Sequence, residues 1–156
     1  MNFETSIRLA SLEATYIFGQ SLGHNLIGGE VIELKSDLGG GKTTLVKAIV
    51  GGTDSSDNVS SPSFGLINEY STSNFKIYHM DFYRIADPGI MEQEVKELIE
   101  DKSNVIIIEW ADSIADFLPE QRLVINIKVE SENTRLLSIK YSRELAYLNL
   151  NDMGQA

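Results

Sequence analysis

A run of three glycines (residues 39–41) separates two segments of different periodicity, and it is followed directly by a lysine and two threonines (residues 42–44, KTT). Before them, residues 30–35 (EVIELK) alternate and are β-branched in character, which predicts a strand. After the glycines, residues 42–50 follow a helical pattern that two further glycines end. A strand that turns through glycines directly into a helix favours an α/β fold.

The glycine-rich run has the residue types that hold a phosphate chain. Its glycines permit a tight turn with positive φ angles, which brings backbone N–H groups close to phosphate oxygens. Its lysine would reach the β- and γ-phosphates, and the first threonine hydroxyl would bind Mg²⁺. The helix that follows directs its free N–H groups and positive end to the same anion. The predicted nucleotide-binding residues are Gly39, Gly40, Gly41, Lys42, Thr43 and Thr44.

Ser36 departs from the P-loop pattern G-x-x-x-x-G-K-[ST], which begins with glycine. The alternative interpretation is a glycine-rich connection that binds no ligand. The additional glycines and the strand–loop–helix context favour nucleotide binding. Ser36 then bears on how tightly the loop closes over phosphate.

Two apolar strands each end in a carboxylate, at Asp81 (IYHMD) and at Glu109 (VIIIE). In P-loop proteins an acid at the C-terminal end of a buried strand faces the phosphate loop and serves Mg²⁺ or the attacking water. With Lys42, these acids are the candidate catalytic residues. The sequence leaves open which acid holds Mg²⁺ and which orients water. It also allows that either one merely ends its strand at the solvent.

ATP is the expected nucleotide because the N-K-x-D string typical of guanine recognition does not occur. A small-molecule kinase is disfavoured because the arginines are isolated and form no lid. Arg84 follows Asp81 by three residues and fits a γ-phosphate contact, a partner contact or an ion pair with Asp81. Packing in the core is the expected role of His79, and burial against the sheet that of Trp110.

The remaining pattern predicts a single α/β domain over residues 1–142. A helix over residues 11–26 begins at Ser11 as its N-cap. Residues 64–70 and 75–81 form a hairpin of strands, an acidic helix runs from Pro88 to about residue 100, and a second strand pair follows. The predicted fold is a P-loop NTPase-like three-layer domain with a mixed, mainly parallel sheet flanked by helices. The tail, residues 143–156, shows no strong pattern and is expected to be poorly ordered.

Composition limits the function further. The formal net charge is −10 and no cysteine occurs, which excludes disulfides, thiol catalysis and cysteine-ligated zinc. Two histidines are too few for a multi-histidine metal centre. No signal peptide and no membrane span is visible, so we expect a cytoplasmic protein without a membrane partner. Lysines and arginines do not cluster, so a nucleic-acid target would be reached through another protein.

The strings DLGGGKTTLVKAI, VSSPSFGLINEY, IYHMDFYRI and IIIEWAD occur in the order and spacing of the bacterial TsaE (YjeE) family, which this chain resembles over about residues 7–141. The resemblance implies a small P-loop fold and a weak Mg²⁺-dependent ATPase that converts ATP to ADP. It also implies the partners TsaD and TsaB, with tRNA reached only through their complex. The family serves threonylcarbamoyladenosine synthesis in tRNA, where ATP hydrolysis would reset TsaB–TsaD between turnovers.

The resemblance also implies roles for residues at matching positions. It assigns Mg²⁺ to Thr43 and Glu109, and the family's D-x-Y-R acid to Asp81. The remaining assignments are a switch loop at Ser60, Ser61 and Ser63, base-side contacts at Ser11 and Arg135, and partner or phosphate contacts at Tyr83, Arg84 and Trp110. Departures from the family pattern occur at Ser36, Gly65 and Met80. A binding module that responds to nucleotide, with incidental hydrolysis, remains the alternative function because it would use the same residues.

Overall fold

The computed structural model describes residues 2–37, 39–60, 67–83 and 88–155. These residues contain seven strands: β1 Asn2–Leu9, β2 Val31–Ser36, β3 Ile67–Ser71, β4 Lys76–Asp81, β5 Asn104–Glu109, β6 Leu123–Val129 and β7 Arg135–Ser142. They contain three α-helices: α1 Leu12–Asn25, α2 Lys42–Gly51 and α3 Glu92–Glu100. Short 3₁₀ helices cover Pro88–Met91, Ala111–Phe117, Arg143–Leu148 and Leu150–Gln155.

The strands form one sheet in the order β1-β7-β6-β2-β5-β4-β3. The four central strands, β6, β2, β5 and β4, are parallel to one another. The outer pairs β1–β7, β7–β6 and β4–β3 are antiparallel. The predicted mixed sheet and the predicted hairpin of β3 and β4 are confirmed. Parallel pairing is confined to the central strands, and short connections explain the antiparallel pairing of β3 with β4 and of β6 with β7.

The two faces of the sheet carry separate apolar clusters, which gives the three predicted layers. On one face Ile32 and Ile107 pack with Leu22 of α1 and Ile49 of α2. On the other face Ile106 and Ile108 pack with Val95 of α3 and with the 3₁₀ helix Ala111–Phe117. All six residues of β5 are buried, as expected for a parallel strand that is covered on both sides.

Helices α1 and α2 approach so closely that glycine is required where they meet. A Cβ atom on Gly23 would lie 1.9 Å from the carbonyl oxygen of Ile49, a backbone atom that cannot turn aside. Gly19 faces Ala48 in the same way, at 2.3 Å from its Cβ. This contact packs α2, whose first turn follows the glycine loop (residues 39–41), closely against α1.

Replacing Gly23 by alanine is therefore expected to destabilise the fold by about 1–3 kcal/mol, the usual cost of overpacking. Chemical denaturation of the full chain measures this difference. Gly51→Ala is the matched control, because Gly51 is also helical and a Cβ atom added there would meet no atom within 4 Å. Equal stability of the two variants would contradict the close packing of α1 on α2.

The segment after Ser142 is part of the core, although its sequence predicts no regular structure. Leu145, Leu148 and Leu150 are buried in the cluster beneath α1 and α2. The Tyr147 hydroxyl donates a 2.7 Å hydrogen bond to the buried carboxylate of Glu30. Burial and that neighbouring charge raise the pKa of Tyr147. These leucines do not follow a strong helical or strand period, so their burial becomes visible only in the fold.

Strand β1 also lacks a counterpart in the predicted elements. It pairs along its whole length with β7, from Asn2 opposite Ser142 to Leu9 opposite Arg135. Only Ile7 and Leu9 of this edge strand are buried, so its apolar alternation is weak. Among the described residues, no helix combines the length and the apolarity needed to cross a bilayer.

Candidate nucleotide site

The glycine loop connects β2 to α2, as the sequence predicts. Gly39 and Gly41 have φ angles of 79° and 97°, which glycine adopts without the strain that a Cβ would bring. Gly41 is the N-cap of α2, and no side chain caps the helix there. The first turn of α2 therefore presents backbone N–H groups and the positive end of the helix dipole to the space above the loop.

Lys42, the first residue of α2, is held back in the loop and is only 6% exposed. Its Nζ donates to the Ser36 hydroxyl at 2.7 Å and to the Asp37 carbonyl oxygen at 3.4 Å. The ammonium also lies 4.4 Å from the ring centroid of Trp110. Burial lowers the pKa of Lys42, while the negative charge of Glu109 and of two other carboxylates opposes that shift. An anion in the loop would therefore favour the charged form.

The two predicted acids lie side by side at the ends of parallel strands. Asp81 of β4 is in register with Glu109 of β5. Glu109 is buried and accepts a 2.5 Å hydrogen bond from Nε2 of His79. Asp81 is half-buried and accepts a 2.9 Å hydrogen bond from the backbone N–H of Tyr83.

One cleft of about 300 Å³ joins these groups. Its lining consists of Gly39, Gly40, Gly41, Lys42, Thr43, Thr44, Asp81, Tyr83, Glu109 and Trp110. The lining of the cleft thus combines a cationic side chain and backbone N–H donors with two carboxylates. Trp110 stands at its rim with a φ of 57°, a left-handed conformation that costs free energy in a residue of this size. Its ring contacts that of Tyr83, with centroids 4.9 Å apart.

An apolar slot adjoins the cleft on the other side of the glycine loop. Gly40, Gly41 and Thr44 line both spaces. The slot is closed by Leu9, Leu12, Thr15, Leu45, Ile127, Arg135 and Leu137. Arg135 crosses its edge and donates from Nε to the carbonyl oxygen of Gly40 at 3.2 Å. The slot, of about 30 Å³, therefore places mainly apolar side chains beside the glycine loop.

A family model described as "Threonylcarbamoyl adenosine biosynthesis protein TsaE" matches residues 9–137, which is most of the chain. The chain belongs to the TsaE family. Curated proteins with the name tRNA threonylcarbamoyladenosine biosynthesis protein TsaE are similar to it. The protein from Rickettsia typhi is 36% identical over 136 residues, covering 85% of this chain and 92% of that protein. The one from Bacillus subtilis is 39% identical over 111 residues, covering 69% of this chain and 66% of that protein.

A solved structure supports the same conclusion for the fold. The crystal structure of YdiB from Bacillus subtilis matches with a TM-score of 0.74 and 28% sequence identity. The match covers 99% of this chain and 97% of that chain. The TsaE family is one of tRNA threonylcarbamoyladenosine biosynthesis, and the resemblance found in the sequence motifs is thereby confirmed.

The donor set of this TsaE-family cleft suits a Mg²⁺ ion that arrives with a nucleotide. Thr43 supplies a hydroxyl, and Asp81 and Glu109 supply carboxylates. In the described ranges, no group of three or more imidazole or carboxylate side chains is arranged to hold a metal ion. Mg²⁺ commonly takes only one or two carboxylates from the protein and completes its shell with phosphate oxygens and water. The residues present therefore fit the ion in that role.

The other predicted residues lie at different places around the TsaE-family cleft. The Ser11 hydroxyl accepts a 3.0 Å hydrogen bond from the N–H of Ala14, so it caps α1 as predicted, and Ser11 does not line the apolar slot. The carbonyl oxygen of Ser60 accepts hydrogen bonds from Asn68 and from the Tyr70 hydroxyl. Four further residues singled out in the sequence, Ser61, Ser63, Gly65 and Arg84, lie outside the described residues.

Sequence reasoning missed the position of His79 and most of the slot. His79 is fully buried, as expected for a core histidine, but it also bonds Glu109. Alternation puts residues 79 and 81 on one face of β4, so the sequence could show that His79 lies on the side of Asp81, but not that it bonds Glu109. Leu9, Leu12 and Thr15 reach the slot from β1 and α1, and no local pattern announces that position.

Asp81, in the TsaE-family cleft, makes the stability of the fold depend on pH. Burial raises the pKa of Asp81, and the charge of Glu109 adds to this, while the Tyr83 N–H opposes it. A carboxyl whose folded-state pKa is raised stabilises the fold below its unfolded pKa. That contribution is lost as the pH rises through the folded-state pKa. The ionised Asp81 therefore disfavours folding at neutral pH.

We expect Asp81→Asn to raise Tm at pH 7 in the absence of Mg²⁺ and nucleotide, and the gain to shrink as the pH falls towards 4. Thermal unfolding followed by circular dichroism measures it. Asp116→Asn, at an exposed carboxylate, is the control. A gain that does not depend on pH would contradict the burial argument.

Proposed function

We propose that the protein binds ATP with Mg²⁺ and hydrolyses it slowly, as the ATPase subunit of tRNA threonylcarbamoyladenosine synthesis. One observation carries this proposal: a single cleft combines the glycine loop, the buried Lys42 and the paired acids Asp81 and Glu109. Loop and lysine suit a phosphate chain, and the carboxylates suit the ion and the water that hydrolysis needs.

In this proposal the glycine loop is a P-loop, and each group around it has one task. The backbone N–H groups and Lys42 hold the phosphates. Thr43 and Glu109 hold Mg²⁺, which when bound neutralises charge on the phosphate oxygens. Asp81 orients the attacking water. The buried and hydrogen-bonded state of Glu109 supports its role as the fixed ligand, while the half-buried Asp81 is open to solvent.

The apolar slot supports adenine as the base. It adjoins the loop through Gly40, Gly41 and Thr44, so a nucleotide whose phosphates occupy the cleft has its base within reach of the slot. Leucine side chains would cover the faces of the ring, and Arg135 would close the edge. Ligand pockets are lined mainly by apolar side chains with a few placed polar groups, as this slot is; its volume is about 30 Å³, so the base would have to widen it on binding.

The charge of the chain supports an indirect route to tRNA. With a formal net charge of −10, the protein lacks the excess of lysine and arginine that direct binding to phosphate backbones requires. We therefore propose that it reaches tRNA through TsaD and TsaB, and that hydrolysis resets TsaB–TsaD between turnovers. Family membership supports this role in the pathway.

Reconstitution with purified TsaD, TsaB, tRNA and the substrates of the modification tests the proposal. We expect the modification to stop after about one turnover per TsaB–TsaD complex without this protein. With the protein and Mg-ATP it should continue over many turnovers. Continued turnover with a non-hydrolysable ATP analogue would favour the alternative, a binding module that only responds to nucleotide.

A further inference from the structure

We infer that His79 is a positioning residue that fixes the Glu109 carboxylate for its work in the cleft. The inference rests on the proposed function, since it concerns a group that acts on Mg-ATP. It differs from the expectation that His79 merely packs in the core. Three observations carry it: the register of the strands, the hydrogen bond to Glu109, and the unpaired second nitrogen of the imidazole.

The register places His79 behind the acids. On β4, His79 lies opposite Ile107, and Asp81 lies opposite Glu109 two residues further on. Alternation along the strands puts these side chains on one face. His79 thus stands one step deeper into the sheet than Glu109, on the side away from the cleft rim. An imidazole at that depth can reach the back of the carboxylate while the cleft side remains open to ligand.

The hydrogen bond is short and fully enclosed. Nε2 of His79 lies 2.5 Å from Oε2 of Glu109, and the side chains are 0% and 4% exposed. A carboxylate oxygen only accepts, so the imidazole donates from Nε2. The bond occupies one carboxylate oxygen and fixes the side-chain torsions of Glu109, which leaves the other oxygen for the cleft that Glu109 lines.

The second imidazole nitrogen of His79 argues against a role in packing alone. Nδ1 of His79 is buried and, among the described residues, has no hydrogen-bond partner. An unpaired buried polar atom costs about 1–3 kcal/mol, so an apolar side chain would fill this position at lower cost if packing were the only demand. Among the described residues, the hydrogen bond from His79 to Glu109 is the polar contact that offsets this cost.

Replacing His79 is expected to have the effect of removing the hydrogen-bond partner of a metal ligand. Removing such a partner typically lowers metal affinity or activity by about 10–100-fold. The test compares His79→Leu, which removes the donor, with His79→Gln, whose side-chain amide can donate from nearly the same place as Nε2. We measure kcat for ATP hydrolysis and the Mg²⁺ concentration for half-maximal rate, using the full chain.

We expect His79→Leu to lower kcat about 10–100-fold and to raise the Mg²⁺ requirement, while the Kd for ATP without Mg²⁺ changes little. His79→Gln should restore most of the rate. In a Glu109→Gln background, His79→Leu should cause no further loss, because the residue acts through Glu109. His24→Gln is the matched control, since the other histidine is exposed on α1.

The outcomes separate the two proposals. If the wild-type protein neither binds nor hydrolyses ATP, the proposed function fails. If it hydrolyses ATP and folded His79→Leu does so equally well with the same Mg²⁺ dependence, the role of His79 is overturned. Equal losses in His79→Leu and His79→Gln would also overturn it. If His79→Leu does not fold, His79→Asn replaces it, because the shorter amide does not reach Glu109. Equal rates of hydrolysis and equal Mg²⁺ dependence in His79→Asn and His79→Gln would then overturn the inference.

Discussion

Lys42→Ala is expected to weaken ATP binding about 100-fold or more and to bring hydrolysis below detection. The ammonium is the cation on the wall of the cleft, in a place where burial strengthens its interactions. Hydrogen bonds from a charged donor are worth about 1.5–3 kcal/mol each, and Lys42 would make more than one to the phosphates. Titration calorimetry with Mg-ATP measures the binding, and phosphate release measures the rate.

Lys47→Ala provides the control for Lys42→Ala. Lys47 lies on the same helix but is exposed, so its removal changes net charge equally without touching the cleft. We expect its Kd and rate to match those of the wild type. The thermal stability of both variants must be measured alongside, because Lys42 also holds Ser36. Near-normal ATP binding by folded Lys42→Ala would rule out the glycine loop as the phosphate site.

Glu109→Gln should separate binding from hydrolysis. The amide keeps the shape of the side chain, and its carbonyl oxygen can still accept from His79, so the fold should persist. The charge that would hold Mg²⁺ is lost, and we expect hydrolysis to fall by about 10²–10³-fold. The Kd for ATP should stay within about threefold of the wild type, because the lysine and loop contacts remain.

In the reconstituted system, Glu109→Gln should bind ATP and stall the modification cycle. Phosphate release and titration calorimetry establish the separation, and tRNA modification over time establishes the stall. Glu100→Gln, at an exposed position at the end of α3, is the matched control. Modification at the wild-type rate by a variant that no longer hydrolyses ATP would show that hydrolysis is incidental.

The part of the site that depends on local sequence was predictable. The glycine loop, Lys42 and the start of α2 are consecutive in the chain, so their local geometry follows from neighbouring residues. Asp81 and Glu109 were predictable because each ends an apolar strand, and the ends of parallel strands meet at one edge of a sheet. Local patterns likewise predicted α1, α2 and the hairpin of β3 and β4.

What the sequence did not predict depends on distant pairing. The bond between His79 and Glu109 needs the register of β4 on β5, which alternation alone does not fix. Leu9 reaches the slot only because β1 pairs with β7, more than 120 residues further along the chain. The buried leucines after Ser142 depend on the same closure of the sheet. Such contacts are set by tertiary packing, and no short stretch of residues reports them.

Because Leu9 pairs with Arg135, a ligand in the apolar slot would affect how easily β1 separates from β7. Both residues wall the slot, so a base seated there touches the first strand and the last strand at once. A ligand that binds only when β1 is paired with β7 shifts the equilibrium between the paired and the separated strands towards the paired form by mass action. Amide hydrogens of the amino-terminal strand should accordingly exchange with solvent more slowly in the loaded protein. Slower exchange in β1 would thus report that the slot is occupied.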